Sequence, residues 1–239
     1  MEKGKNNAAF KVAFITGATI FIMGYVNSMA LHTEHLGLMV TPQTGNIVWL
    51  GMNPVFGEMG RWASNWLLFF GFVFGCGFAV VTNKKFENKR TQFFFNWAWF
   101  AVPLVLYPFY APLVNSQVAF LLMGLSAGFG VGFFRIMYHL DQINNAMATG
   151  SVRFIGVYFA EVFVKKNRKE MFTLWIFVLC VLLFALGGTV FAILHVLNGG
   201  AMFEPTNLDV AGNMFSPISI ALIIFCIIPC FFAPSATGE

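Results

Sequence analysis

Six apolar stretches, each 18 to 23 residues long, run through this chain: residues 12–31, 62–82, 93–112, 118–137, 172–194 and 215–232. They contain a single charged residue, Arg135. A helix that crosses a bilayer needs about 20 mostly apolar residues. Only 10% of the 239 residues are charged and 58% are hydrophobic, whereas a soluble domain carries roughly 25% charged residues. A chain with so few polar groups cannot coat a soluble surface, so the lipid bilayer is its expected solvent. The fold class expected is all-α, a polytopic membrane helix bundle of about six spans in one transmembrane domain, residues 1–239. The third stretch contains Pro103 and Pro108 and is expected to kink or break there.

Two shorter apolar segments, 44–56 and 149–164, are either spans or re-entrant pieces by length. Charge separates the two readings. Basic residues cluster at Lys3, Lys5 and Lys11, at Lys84, Lys85, Lys89 and Arg90, and at Lys165, Lys166, Arg168 and Lys169. Short cytoplasmic loops are rich in Lys and Arg. If both short segments span, the second cluster falls outside. If neither does, all three clusters and both termini are cytoplasmic. The second layout needs no exception. The net charge of +4 is then a matter of membrane orientation, and no nucleic-acid partner is expected. The lysine-flanked first stretch resembles a signal peptide, but it lacks a clear cleavage site and is read as a retained helix.

The two short segments match each other. Thr44-Gly45-Asn46-Ile47-Val48-Trp49-Leu50-Gly51 aligns without gaps on Thr149-Gly150-Ser151-Val152-Arg153-Phe154-Ile155-Gly156, at an offset of 105 residues. Each follows one apolar stretch and precedes two more. The chain therefore reads as two repeats, 12–115 and 116–233, each a span, a dip and two spans. Three crossings per repeat invert the second, giving a 3+3 inverted repeat of the kind found in transporters.

Non-helical backbone at membrane depth must be buried in protein or line a wet cavity. A helix that starts there presents free N–H groups and the positive end of its dipole. Thr44 and Thr149, with Asn46 and Ser151, can cap such ends or bind a solute, while Gly45 and Gly150 allow close approach. The same residues also suit simple capping and tight packing, and the two roles are compatible. The candidate pathway residues are Asn27, Ser28, Thr44, Gly45, Asn46, Arg135, Thr149, Gly150, Ser151 and Arg153. Ionisable groups inside a membrane are costly and point to function, although Arg135 and His139 can snorkel and Arg153 and Glu161 can pair nearby. His32, Glu34 and His35 lack a fourth ligand and read as an outer loop, not a metal site. Cys76, Cys180, Cys226 and Cys230 sit in apolar runs and read as small hydrophobes; Cys226 and Cys230 can share a helix face. Gly124, Gly128 and Gly132 share a helix face, as do Gly71 and Gly75, which suits close packing within the fold or a homo-oligomer.

The run Gly24-Tyr25-Val26-Asn27-Ser28, followed by Thr44-Gly45-Asn46, resembles the YoaK-like bacterial membrane family, domain of unknown function 1275. That family shows a Gly-x-x-Asp-Ala-like stretch, then Thr-Gly-Asn, then a second Thr-Gly. This chain has Asn27 where the family usually carries an acid, which removes any proton or cation role that acid would have. The resemblance implies a bacterial plasma-membrane protein and no particular substrate.

The leading functional expectation is a secondary transporter or channel for a small polar or anionic solute, bound between the two Thr-Gly half-helices near the midplane. No phosphate-binding loop motif is present, so a primary pump is disfavoured. A non-transporting scaffold or partner-binding protein is the alternative. A membrane-embedded enzyme is a further one, though no metal, serine or paired-carboxylate motif supports it. No cofactor is expected.

Overall fold

The computed structural model describes residues 2–32, 40, 43–83, 85–107, 116–138, 148–197 and 216–234. Among these residues the chain forms eight α-helices and no strand: α1 (Glu2–His32), α2 (Gln43–Met52), α3 (Met59–Asn83), α4 (Lys89–Val105), α5 (Ser116–Tyr138), α6 (Ala148–Phe159), α7 (Met171–Leu197) and α8 (Pro217–Ile227). A π-helical turn, Ala160–Val164, continues α6, and a 3-10 turn, Ile228–Phe232, continues α8. The expected all-α class is what the chain adopts.

Three helices are long and apolar enough to cross a membrane, over Phe10–Ala30, Met59–Thr82 and Arg168–Leu197. Val118–Phe133 and Pro217–Phe232 form shorter apolar helices. Helix α4 ends at Val105, just past Pro103. Proline has no N–H to bond the carbonyl of Trp99, and its ring crowds that turn. Helix α4 nevertheless runs through Pro103, and the third stretch is interrupted after Val105; Pro108 lies outside the described residues. The other end of α4 is set by Asn88, whose Oδ1 accepts from the N–H groups of Arg90 (2.9 Å) and Thr91 (3.3 Å), the usual N-cap arrangement. Ser216 caps α8 in the same way through the N–H of Ser219, 3.2 Å away, with Pro217 at the first helical position.

Glycines decide how the long helices pair. Helix α3 packs on α5, and α1 packs on α7. A side chain on Gly128 would overlap the carbonyl of Phe72, its Cβ 2.7 Å from the carbonyl carbon; one on Gly24 would overlap the carbonyl of Phe184, at 2.8 Å. A Cβ on Gly75 would sit 3.0 Å from the carbonyl carbon of Leu125 and 2.7 Å from the nitrogen of Phe129. A Cβ on Gly187 would sit 3.0 Å from the carbonyl carbon of Phe21 and 2.9 Å from the nitrogen of Tyr25. Only glycine lets the backbones come this close. The contacts advance together along both helices of each pair, from Gly17 against Leu183 to Ser28 against Gly188, and from Gly71 against Leu121 to Gly132 against Cys76. Each pair is therefore parallel.

The remaining neighbours run antiparallel. Thr82 Oγ1 donates to Asn96 Oδ1 at 3.3 Å while Phe78 meets Trp99 at 5.3 Å, which orients α3 against α4. Phe93 meets Phe133 while Ser126 Oγ donates to the carbonyl of Phe100, which orients α4 against α5. Tyr25 donates its hydroxyl to the carbonyl of Ile218 (2.8 Å) while Phe14 stacks near Phe232 at 4.0 Å, which orients α1 against α8. Trp97 Nε1 ties α4 to α8 by donating to the carbonyl of Cys226, 2.8 Å away.

Tyr25, Phe93, Phe100, Phe129 and Phe133 fill the shared core, with Val40 of the segment before α2 buried among them. Large apolar side chains such as Phe74, Phe172, Trp175 and Phe231 point outward. On this helical chain an apolar exterior of that size suits hydrocarbon.

Candidate functional site

The short helices α2 and α6 dock on different partners, α2 on α3 and α6 on α7. Helix α2 has ten residues, about 15 Å at 1.5 Å per residue. It buries Asn46 and exposes Ile47, Val48, Trp49 and Met52; Asn53, in the turn that follows the helix, is buried as well. Helix α6 rests on α7 through Phe154 and Tyr158, both stacked on Phe177 at 4.9 and 5.6 Å. Its outward face carries Val152, Arg153, Gly156 and Val157.

The candidate pathway residues separate accordingly. Asn27 and Asn46 are 4% and 1% exposed, and both take part in interactions within the protein. Ser28 is half-buried, with its hydroxyl 2.6 Å from where a side chain on Gly188 would begin. Arg153 is exposed, at the register of exposed Val48 in the other segment. Thr44, Gly45, Arg135, Thr149, Gly150 and Ser151 have helical backbone, and their side chains lie outside the described residues, as do Glu34, His35, His139 and Asp141. Gly71, Gly75, Gly124, Gly128 and Gly132 are all taken up by the α3–α5 contact, so their close packing is within the fold.

Other buried polar side chains stand out. Asn53 and Asn65 are 1% and 0% exposed, and neither the amide nitrogen nor the oxygen of either finds a hydrogen-bond partner. An unsatisfied buried donor or acceptor costs about 1–3 kcal/mol. In contrast, Thr19, Ser64 and Thr82 satisfy their hydroxyls on carbonyls of their own helices. Asn53 lies just after α2; Asn65 lies six residues into α3, about 9 Å from its start. Sequence reading passed over both. Asn53 resembles a loop residue next to Pro54, and Asn65 lies between the interfacial-looking Trp62 and Trp66.

No buried side chain among the described residues is ionisable, cysteine and tyrosine aside. A cavity of about 370 Å³ opens between α1, α7 and α8, lined by Ala13, Gly17, Phe21, Leu183, Phe225 and other apolar residues. It offers no hydrogen bond to a polar solute. Among the described residues the fully buried polar side chains are therefore carboxamides and hydroxyls, capable of both donating and accepting without charge.

Comparisons with curated proteins and with solved structures give no match. A family model described as a protein of unknown function (DUF1275) matches residues 15–206, and the chain belongs to that family.

Proposed function

We propose that the chain is a membrane carrier or channel for a small polar solute, built from two inverted repeats, 12–115 and 116–233. The observation that carries this reading is the agreement between the two glycine contacts. Adding 104 to residues of α1 gives residues of α5, and adding 112 to residues of α3 gives residues of α7. Under these shifts Gly24 against Phe184 becomes Gly128 against Phe72, and Gly187 against Phe21 and Tyr25 becomes Gly75 against Leu125 and Phe129. The paired distances agree to 0.2 Å. Two helix pairs built to one plan, each taking one helix from either repeat, fit an internal two-fold relation.

Helix directions support the inversion. Helices α1 and α7 are parallel, and α3, α4 and α5, read here as crossings, lie between them in the chain. That requires either both short segments to cross or neither. Helix α2, at about 15 Å, is half of a hydrocarbon core of about 30 Å. Neither crossing is the consistent choice, and it gives three crossings per repeat with all three basic clusters on one side. Val40 buried in the core ahead of α2 fits a segment that returns into the protein before the helix starts.

In this arrangement each glycine-locked pair is a body containing one helix from each repeat, and rocking of one body against the other exposes the interior to either side. Solute flux into proteoliposomes tests the reading. Flux of small polar solutes above that of protein-free vesicles is expected. A folded, correctly inserted protein that moves none of a broad panel points instead to the scaffold alternative.

A further inference from the structure

We infer that the groove between α1, α7 and α8 holds one acyl chain of an anionic phospholipid, with the headgroup against Lys11, Arg168 and Lys169. The groove opens where a glycine contact ends. At Gly24 the backbone of Phe184 stands where a side chain would begin. At Gly17, about two turns earlier, the nearest atom to a Cβ would be Cδ1 of the Leu183 side chain, 3.2 Å away. Helices α1 and α7 therefore part toward their first turns. The α3–α5 pair does not, since the carbonyl of Leu121 still meets Gly71. The space left is about 370 Å³, lined by Ala13, Gly17, Ala18, Phe21, Leu183 and other apolar residues. That is near the lower end of the range for ligand pockets, about 300–1,000 Å³, and suits one hydrocarbon chain. Ala13 and Leu179 line it and are exposed, so it opens on the outer face of the bundle. An unfilled groove forfeits the dispersion contacts of its walls, and within the Phe10–Ala30 span the filler at hand is a lipid tail.

Lipid tails are as apolar as these walls, so the tail alone selects no particular lipid. Selection comes from the charged end. Lys11 lies three residues before Phe14 and seven before Ala18, on the face of α1 that lines the groove. With Gly24 level with Phe184 in a parallel pair, thirteen residues earlier Lys11 comes level with Met171, the first residue of α7. Arg168 and Lys169 immediately precede it and are exposed. Phe172, Trp175, Leu179 and Leu183, spaced by three or four residues, form a stripe from these cations into the groove. Lys165 is paired with Glu161, whereas Lys11, Arg168 and Lys169 are in no ion pair among the described residues. Even with Glu170 beside them, three cations leave the mouth of the groove positive. An anionic headgroup gains from each cation, and a zwitterionic one gains little. The six-crossing layout adds only the leaflet, which is then the cytoplasmic one; the groove and its cations do not depend on it.

The test is titration of the purified protein in detergent, read by native mass spectrometry and by thermal unfolding. The probes are dioleoyl phosphatidylglycerol, dioleoyl phosphatidylcholine and glycerophosphoglycerol, which is the anionic headgroup without tails. The native protein is expected to retain one phosphatidylglycerol about tenfold or more tightly than phosphatidylcholine, with a rise in unfolding temperature that glycerophosphoglycerol does not give. The triple variant Lys11→Gln/Arg168→Gln/Lys169→Gln changes no packed residue of the core and is expected to lose that preference. Ala18→Phe fills the groove from its wall and is expected to lose the bound lipid with the cations intact. Equal binding of the two phospholipids overturns the inference, as does a preference that survives in the triple variant. A full response to glycerophosphoglycerol overturns the acyl chain's part. Undiminished lipid binding by Ala18→Phe puts the lipid elsewhere, and if that variant also turns a dimer into a monomer, the groove belongs to a second copy of the chain. Should Ala18→Phe fail to fold, the triple variant and the headgroup probe decide. None of these readouts involves flux, so the transport reading stands or falls separately.

Discussion

The carbonyl of Phe184 occupies the space that a side chain on Gly24 would need. Any substitution at Gly24 has to push α1 off α7. Gly128 stands in the same relation to Phe72, so Gly24→Ala and Gly128→Ala are expected to destabilise the protein by similar amounts, about 1–3 kcal/mol each, the usual cost of overpacking. Thermal unfolding in detergent measures both. Gly51→Ala and Gly156→Ala are the controls. Nothing lies within 4 Å of a Cβ at either position, and replacing a helical glycine by alanine there gains roughly 0.5–1 kcal/mol.

Helix α8 is held by two donors from distant helices, Tyr25 and Trp97. Tyr25→Phe keeps the ring and removes the hydroxyl, at an expected cost of about 1 kcal/mol for a buried hydrogen bond. Trp97→Phe removes the indole donor and part of the ring and is expected to cost more, about 1–3 kcal/mol. Denaturant unfolding in micelles reads both. Equal stability of Tyr25→Phe and native protein would show that the hydroxyl bond adds nothing.

Asn88 caps α4 from an exposed position, so its loss disturbs no packing. Asn88→Ala is expected to cost about 1 kcal/mol and Asn88→Asp close to nothing, because the carboxylate can accept the same two N–H groups. The same unfolding measurement separates the cap from a nonspecific effect of the position.

The proposed six-crossing arrangement makes a sidedness prediction. Single cysteines at Glu87 and Lys166, both exposed, are expected to react with an impermeant thiol reagent only from the cytoplasmic side. A cysteine at Phe56, 61% exposed, is expected to react only from the outside. The background for this labelling replaces Cys76, Cys180, Cys226 and Cys230. Labelling of Glu87→Cys and Lys166→Cys from opposite sides would remove the inverted repeat.

Much of this fold is legible in the apolar runs, because a membrane helix must satisfy its backbone within itself and declares its length in sequence. The end of α4 near Pro103 is legible for the same local reason. The match between the Thr-Gly segments suggests the two proposed repeats, yet it covers only the short helices. The agreement around Gly24 and Gly128 emerges only when the partners are known, since Phe184 and Phe72 are unremarkable in sequence. Asn27 is buried, as its position inside an apolar run implies. The outward face of Arg153 depends on how α6 rolls on α7, which Phe154 and Tyr158 decide. Asn53 and Asn65 carry no local signal.

The pairing of α1 with α7 also has a consequence for synthesis. When Gly24 enters the membrane, its partner Phe184 is 160 residues from being made, and Gly71 and Gly75 likewise wait for α5. The first repeat alone offers its glycine notches no internal match, so during translation they are open to lipid or to insertion factors. A chain cut between the repeats should stay soft until the missing half is supplied in trans. Two fragments expressed together can then find each other through these notches, each completing a surface that the other cannot complete by itself.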